Sequence, residues 1–298
     1  MELLVRFRNC TVVTDILEKV DRTLEFLSFV RVYSLRRPDL VLPLFRVLRD
    51  TQVETIEYWQ AIELIALAAA DVSNYRIFNW CCDKIKKRFG DNWRLHRLLG
   101  LFHEIRLDYR AAAAVYENSL VKHPSCPQLY KRQVAILKSL NSYEQAAVVL
   151  CDYLKNFMVD EESWCELVFI YLYLRKYEEA AFAASELIIL NPSNWFYFLL
   201  FAEIQYNIGS YESLVTARKY CCYVCKMQKS CPRVFYDLLL VCWALGKFPQ
   251  SSKDVNRRLL LFASKHLRQL YKNSSLLFAV EELLTHSSSR KLKYQTND

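Results

Sequence analysis

Apolar positions recur along this chain at i, i+3, i+4 and i+7, the spacing that lays one stripe along a helix. Leu95, Leu98, Leu99 and Phe102 make such a stripe. The pattern predicts helices over about 15–33, 39–49, 52–70, 74–88, 92–106, 109–122, 127–140, 143–157, 161–174, 177–190, 194–208, 212–228, 232–246, 250–270 and 273–285. Thr51-Gln52-Val53-Glu54 reads as a capping box opening one of them. Asp160, ahead of Glu161 and Glu162, reads as an acidic N-terminus for another. The longest apolar runs, Leu167–Leu174 and Trp195–Ala202, last a couple of turns each. That length suits a buried helix and falls short of the ~18 residues a bilayer span needs.

The helices repeat. Tyr75, Tyr109, Tyr143, Tyr177 and Tyr211 stand 34 residues apart, and their surroundings recur with them. Ala112, Ala146 and Ala180 share one register, a small residue where two helices can cross closely. Pro124 and Pro192 close two of the units. The pattern resembles the tetratricopeptide repeat. One unit carries Leu99, Gly100, Ala112, Tyr116 and Pro124; another carries Trp164, Leu167, Tyr171, Ala180 and Pro192. In the unit between them Val134 stands in the glycine place, and in the unit from Trp195 Leu214 stands in the small place. The resemblance implies an all-α fold of tetratricopeptide-type helical hairpins stacked into a right-handed superhelix, an α-solenoid. The expected division is a helical cap over 1–50, the array over 51–246, packing helices over 247–286 and a mobile polar tail over 287–298.

Composition agrees with helices and narrows the chemistry. The chain is 53% hydrophobic and has only 4 Gly in 298 residues, few for a fold built on tight turns. The four, Gly90, Gly100, Gly209 and Gly246, are too scattered to cradle a phosphate. His96, His103, His123, His266 and His286 show no metal spacing. Adjacent carboxylates such as Glu178 and Glu179 point to different sides of a helix. A catalytic role, a cofactor, a resident metal and a small-molecule substrate are therefore not expected. The start of the chain has Arg6 and Arg8 where a signal peptide needs its apolar core, which implies a reducing compartment and free thiols for the 11 Cys. Cys222 and Cys225 have zinc-knuckle spacing, but with Cys221 and Cys231 they sit in a helical pattern without a second knuckle. Core or groove cysteines are the expectation. The net charge of +8 permits an acidic partner, an anionic membrane surface or nucleic acid. The basic run Lys84–Arg88 with Arg94 and Arg97 reads as a solvated helix end, and the aromatics follow core spacing, so no nucleic-acid platform is expected.

In repeats of this type the first helix of each pair faces the groove. Its inward places fall on Arg94, Arg97 and Glu104, then on Lys131 and Lys138, then on Glu162 and Phe169, then on Leu199 and Tyr206. The groove is thus expected to run from basic to apolar and aromatic, fit for an extended segment with acidic and then apolar residues. A chaperone-tail clamp needs Asn residues that are replaced by Leu101 and Ala135.

Over about residues 93–220 the chain is similar to a narrower family, subunit 2 of the endoplasmic reticulum membrane protein complex. The residues that carry this are Tyr153, Leu154, Phe157, Asp160, Glu162, Trp164, Glu166 and Leu167, then Ala180, Ala181, Phe182, Glu186, Leu187, Asn191 and Pro192, and then Ala202, Glu203, Tyr206, Gly209 and Ala217–Tyr220. The family's Gly-Gly turn reads Gly209-Ser210, and the first 50 residues and those after Pro232 match poorly. The resemblance implies a non-catalytic scaffold, cytoplasmic and peripheral on the cytosolic face of the endoplasmic reticulum membrane. It implies other subunits of an insertase complex as partners, with cytosolic segments of the membrane-embedded ones held in the groove. The alternative is another helical-repeat adaptor, in trafficking or RNA processing.

Overall fold

The computed structural model describes residues 16–51 and 55–293. Among these every regular element is a helix. They are α1 (Ile16–Val32), α2 (Pro38–Val41), a 3₁₀ turn (Leu42–Leu44), α3 (Phe45–Arg49), α4 (Ile56–Asp71), α5 (Tyr75–Phe89), α6 (Trp93–Ile105), α7 (Tyr109–Lys122) and α8 (Pro127–Ser139). There follow α9 (Tyr143–Asn156), α10 (Glu161–Tyr173), α11 (Tyr177–Leu190), α12 (Trp195–Ile208), α13 (Tyr211–Met227), α14 (Pro232–Leu245), α15 (Lys253–Leu270) and α16 (Leu277–Lys293). The chain falls into two compact units, Met1–Ser142 and Tyr143–Asp298.

The repeat period is written in the backbone. Ser73, Leu107, Asn141, Arg175 and Gly209 all take positive φ, between 56° and 77°, at intervals of 34 residues. Gly209 is the C-cap of its helix, and each of the other four directly follows the C-cap of its own. There the chain must reverse and orphan carbonyls need donors. At four of these turns the next residue reaches back five places: Asn74 N–H to Ala69 O at 2.7 Å, Asp108 to His103 at 3.0 Å, Ser142 to Leu137 at 2.9 Å and Lys176 to Tyr171 at 2.9 Å. This is the Schellman closure, and it holds even Leu107 in a conformation that costs a non-glycine residue about 1–2 kcal/mol. The recurring Tyr opens the following helix one residue on. Asn74 Oδ1 caps α5 by accepting from Ile77 N–H, Asp108 Oδ1 caps α7 from Ala111 N–H, and Ser210 Oγ caps α13 from Ser213 N–H.

Two local readings sharpen. Asp160 is the N-cap of α10, accepting from Ser163 N–H at 3.3 Å and from Tyr153 Oη at 2.6 Å. The capping box assigned to Thr51 is corrected. The hydroxyl of Thr51 donates back to Val47 O at 2.7 Å, and Thr55 caps α4 by accepting from Tyr58 N–H at 3.3 Å. Residues 52–54, with the Glu54 half of the box, lie outside the described residues. The last helix continues to Lys293 through part of the stretch read as a polar tail, and 294–298 lie outside the described residues.

The first unit buries α1 and α3 against α4, with Val20, Leu24, Leu27 and Leu48 meeting Tyr58, Ile62 and Ile65. The small places are filled as the repeat requires: Ala112 in this unit, and Ala146 and Ala180 in the second, are fully buried. Leu214 takes the same place at 2% exposure, and the second unit's core continues through α13, α14 and α15. Among the described residues no helix is long and apolar enough to cross a membrane.

Candidate partner-binding faces

In the first unit α4, α6 and α8 are the first helices of their pairs. Arg94 and Arg97, expected to make the groove basic, turn to one carboxylate on the preceding first helix. Arg94 Nη1 donates to Glu63 Oε1 at 3.1 Å and Arg97 Nη2 donates to Glu63 Oε2 at 3.3 Å. Glu104 accepts from Tyr116 Oη at 2.6 Å and from Arg132 of α8, with Nε at 3.1 Å and Nη2 as the second donor. Lys131 and Lys138 are half-buried on α8. Each of Arg94, Arg97 and Arg132 is therefore paired inside the unit, three guanidiniums sharing the two carboxylates of Glu63 and Glu104.

The second unit repeats the device. Arg233 of α14 forks onto Glu203 of α12, with Nε to Oε1 at 2.6 Å and Nη2 to Oε2 at 2.7 Å. Glu161 accepts from Tyr197 of the following first helix. Glu63, Arg132 and Arg233 were not singled out from sequence. A signal existed: each pair joins opposite charges 28 to 34 residues apart, about one repeat or slightly less. The carboxylates of these pairs are only 13–22% exposed, and the pairs link each first helix to the next. Beside Arg233, Asp237 is pushed up to about 7, first by burial and then by the Glu203 carboxylate. Its Oδ2 is buried with no hydrogen-bond partner among the described residues.

Of the remaining residues read from sequence, Glu162 and Phe169 stand exposed on α10, joined by Tyr173 at the next turn of the same face. Phe169 is 50% and Tyr173 64% exposed, whereas Leu167, Val168 and Ile170 on the other faces are buried. Tyr206 is half-buried against the core. Leu199 does not reach the surface: it is 1% exposed, because α12 is sandwiched between helices and buries Tyr197 through Leu200 together. It contributes packing and is withdrawn from the partner face.

Cys221 and Cys225 are buried in the second unit's core, and Cys222 and Cys231 are half-buried. Burial pushes the Cys225 thiol up to about 12 and the Cys221 thiol higher still. Both therefore act as small apolar groups. Among the described residues no three His, Cys, Asp or Glu side chains converge as a metal ligand set.

The family model described as EMC2 TPR-like repeat domain matches residues 91–219, from just before α6 into α13. The chain is similar to ER membrane protein complex subunit 2-B of Xenopus laevis, at 30% identity over 239 residues covering 76% of this chain and 80% of that protein. It is also similar to ER membrane protein complex subunit 2 of Dictyostelium discoideum, at 28% identity over 65% of this chain and 62% of that protein. Among solved structures, the C-terminal part of a TPR repeat-containing protein from Cytophaga hutchinsonii superposes with a TM-score of 0.59 at 11% identity, covering 86% of this chain and 98% of that one. At that identity the likeness establishes the tetratricopeptide-type fold.

Proposed function

The chain belongs to the ER membrane protein complex subunit 2 family, and from that premise we propose that it is a non-catalytic scaffold subunit of an insertase complex, held on the cytosolic face of the endoplasmic reticulum membrane. It grips cytosolic segments of membrane-embedded subunits on the first helices of its repeats. The observation that carries this reading is the α10 stripe of Glu162, Phe169 and Tyr173, which keeps two large aromatic side chains in water inside the span shared with the family. Aromatic side chains are the usual anchors of protein interfaces. The paired arginines support the same view in another way: they link the first helices to one another and leave recognition to the side chains between them. The segment that fits this face therefore leads with apolar contacts and needs fewer acidic residues than the sequence alone suggested.

The experiment is affinity purification of the tagged protein from mild-detergent extracts, beside the Phe169→Asp variant. Several multi-spanning membrane proteins in fixed ratio, reduced in the variant, are expected. Soluble partners alone would overturn the reading in favour of a helical-repeat adaptor, and an unchanged profile for the variant would move the contact away from α10.

A further inference from the structure

On the first helices Arg94, Arg97, Arg132 and Arg233 each pair with a glutamate. Elsewhere in the second unit Lys155 pairs with Asp152 and Arg268 with Glu281, whereas Lys226 and Lys229 make no ion pair among the described residues. α13 and α15 leave between them an open cleft of about 470 Å³, with Leu238 of α14 in its floor. Cys222, Cys225 and Leu259 add to the apolar floor, and Phe262 and His266 form one wall. That wall is built firmly: the His266 ring lies 5.1 Å from Phe235 at 15° and 4.3 Å from Phe262.

The rim carries Lys226 near the end of α13, Lys229 just beyond it and the imidazole of His266 from α15. No carboxylate lines the cleft; Asp237, whose field reaches Cys225, is not among its walls. Burial raises the Cys222 thiol while Arg218 and Lys226 pull it down, which adds the positive field of Arg218 at the same spot. Arg258 and Lys265 lie one turn to either side of Phe262 and are exposed. An apolar recess ringed by cations is complementary to an apolar side chain flanked by carboxylates. The recess also decides between macromolecules. A volume within the roughly 300–1,000 Å³ of ordinary binding clefts accepts an inserted side chain, which a flat bilayer surface does not offer.

We propose that the cleft between α13 and α15 is a docking site for an acidic peptide segment of another protein, anchored by one aliphatic or aromatic side chain. This lies beyond the first-helix grip and does not depend on it. The test is selection of a random-peptide phage library on the full chain, repeated on Lys226→Glu/Lys229→Glu and on Lys176→Glu as an exposed charge-reversal control elsewhere. Both cleft lysines are exposed, so the double variant should keep the wild-type melting temperature. Enriched peptides should combine Asp or Glu with a Leu, Phe or Trp, and should lose about tenfold or more in affinity on the double variant only. No enrichment, enrichment without an acidic bias, or equal affinity for the double variant overturns the proposal. So does the result that wild type sediments with phosphatidylserine vesicles through these lysines while selecting no peptide, which would assign the cleft to a membrane surface.

Discussion

Tyr116 Oη donates a 2.6 Å hydrogen bond to Glu104 Oε1, the same carboxylate that receives Arg132 from the next first helix. One glutamate thus ties together both helices of its own hairpin and the following one. Glu104→Ala strands a fully buried phenol and a largely buried guanidinium. It should destabilise by about 2 kcal/mol, and Glu104→Gln, which keeps an acceptor for the phenol, by about half that. Urea unfolding checks the order; equal midpoints for the two variants would show that the charge contributes nothing.

Gly100 is needed because of the same tyrosine. A Cβ at this position would overlap the Tyr116 ring. Alanine ordinarily improves a helix by ~1 kcal/mol over glycine. Here overpacking should win, and Gly100→Ala should lower stability by about 1–3 kcal/mol. Adding Tyr116→Leu should recover part of the loss relative to Tyr116→Leu alone, which a double-mutant cycle measures.

Asp237 gives a pH signature. Burial, then Glu203, raises its carboxyl from 3.8 to about 7. In the window between those values the native state holds a proton that the unfolded chain has released, so this group's contribution to stability falls as pH rises. Its slope is at most about 1.4 kcal/mol per pH unit, and it levels off above about pH 7. Asp237→Asn should therefore unfold at higher urea than wild type above pH 7, with the difference shrinking towards pH 4. A difference that grows on acidification would reverse the assignment.

Ala180 sits at the crossing of α11 with no exposed surface. Ala180→Trp should cost about 3 kcal/mol, the upper end of the usual range for overpacking, as read from thermal unfolding. A melting temperature within a degree or two of wild type would mean that the crossing is not where the repeat register puts it.

The sequence by itself determined the period, the boundaries of the helices from α5 to α14 to within about a residue, and the small crossing places. These rest on properties each residue carries alone: Tyr75 to Tyr211 at one interval, the N-cap Asp160, and the small Ala112, Ala146 and Ala180. The five residues 93–97 show where that information stops. Their spacing said that Arg94 and Arg97 share a face but not that Glu63, a repeat earlier, meets both. The left-handed turns were equally hidden, since only Gly209 carries the residue such a φ normally selects, while Ser73, Leu107, Asn141 and Arg175 are held there by bonds to residues several places back. Leu199 and Phe169 both fall on places that the repeat turns inward, the fifth and the ninth of their helices, yet one is buried and the other exposed. Periodicity fixes the direction of a side chain relative to its own helix, whereas what stands opposite depends on how neighbouring hairpins stack. Only the tertiary structure decided the paired arginines, the exposed α10 stripe and the basic cleft, because each depends on what the neighbouring helices place beside a side chain.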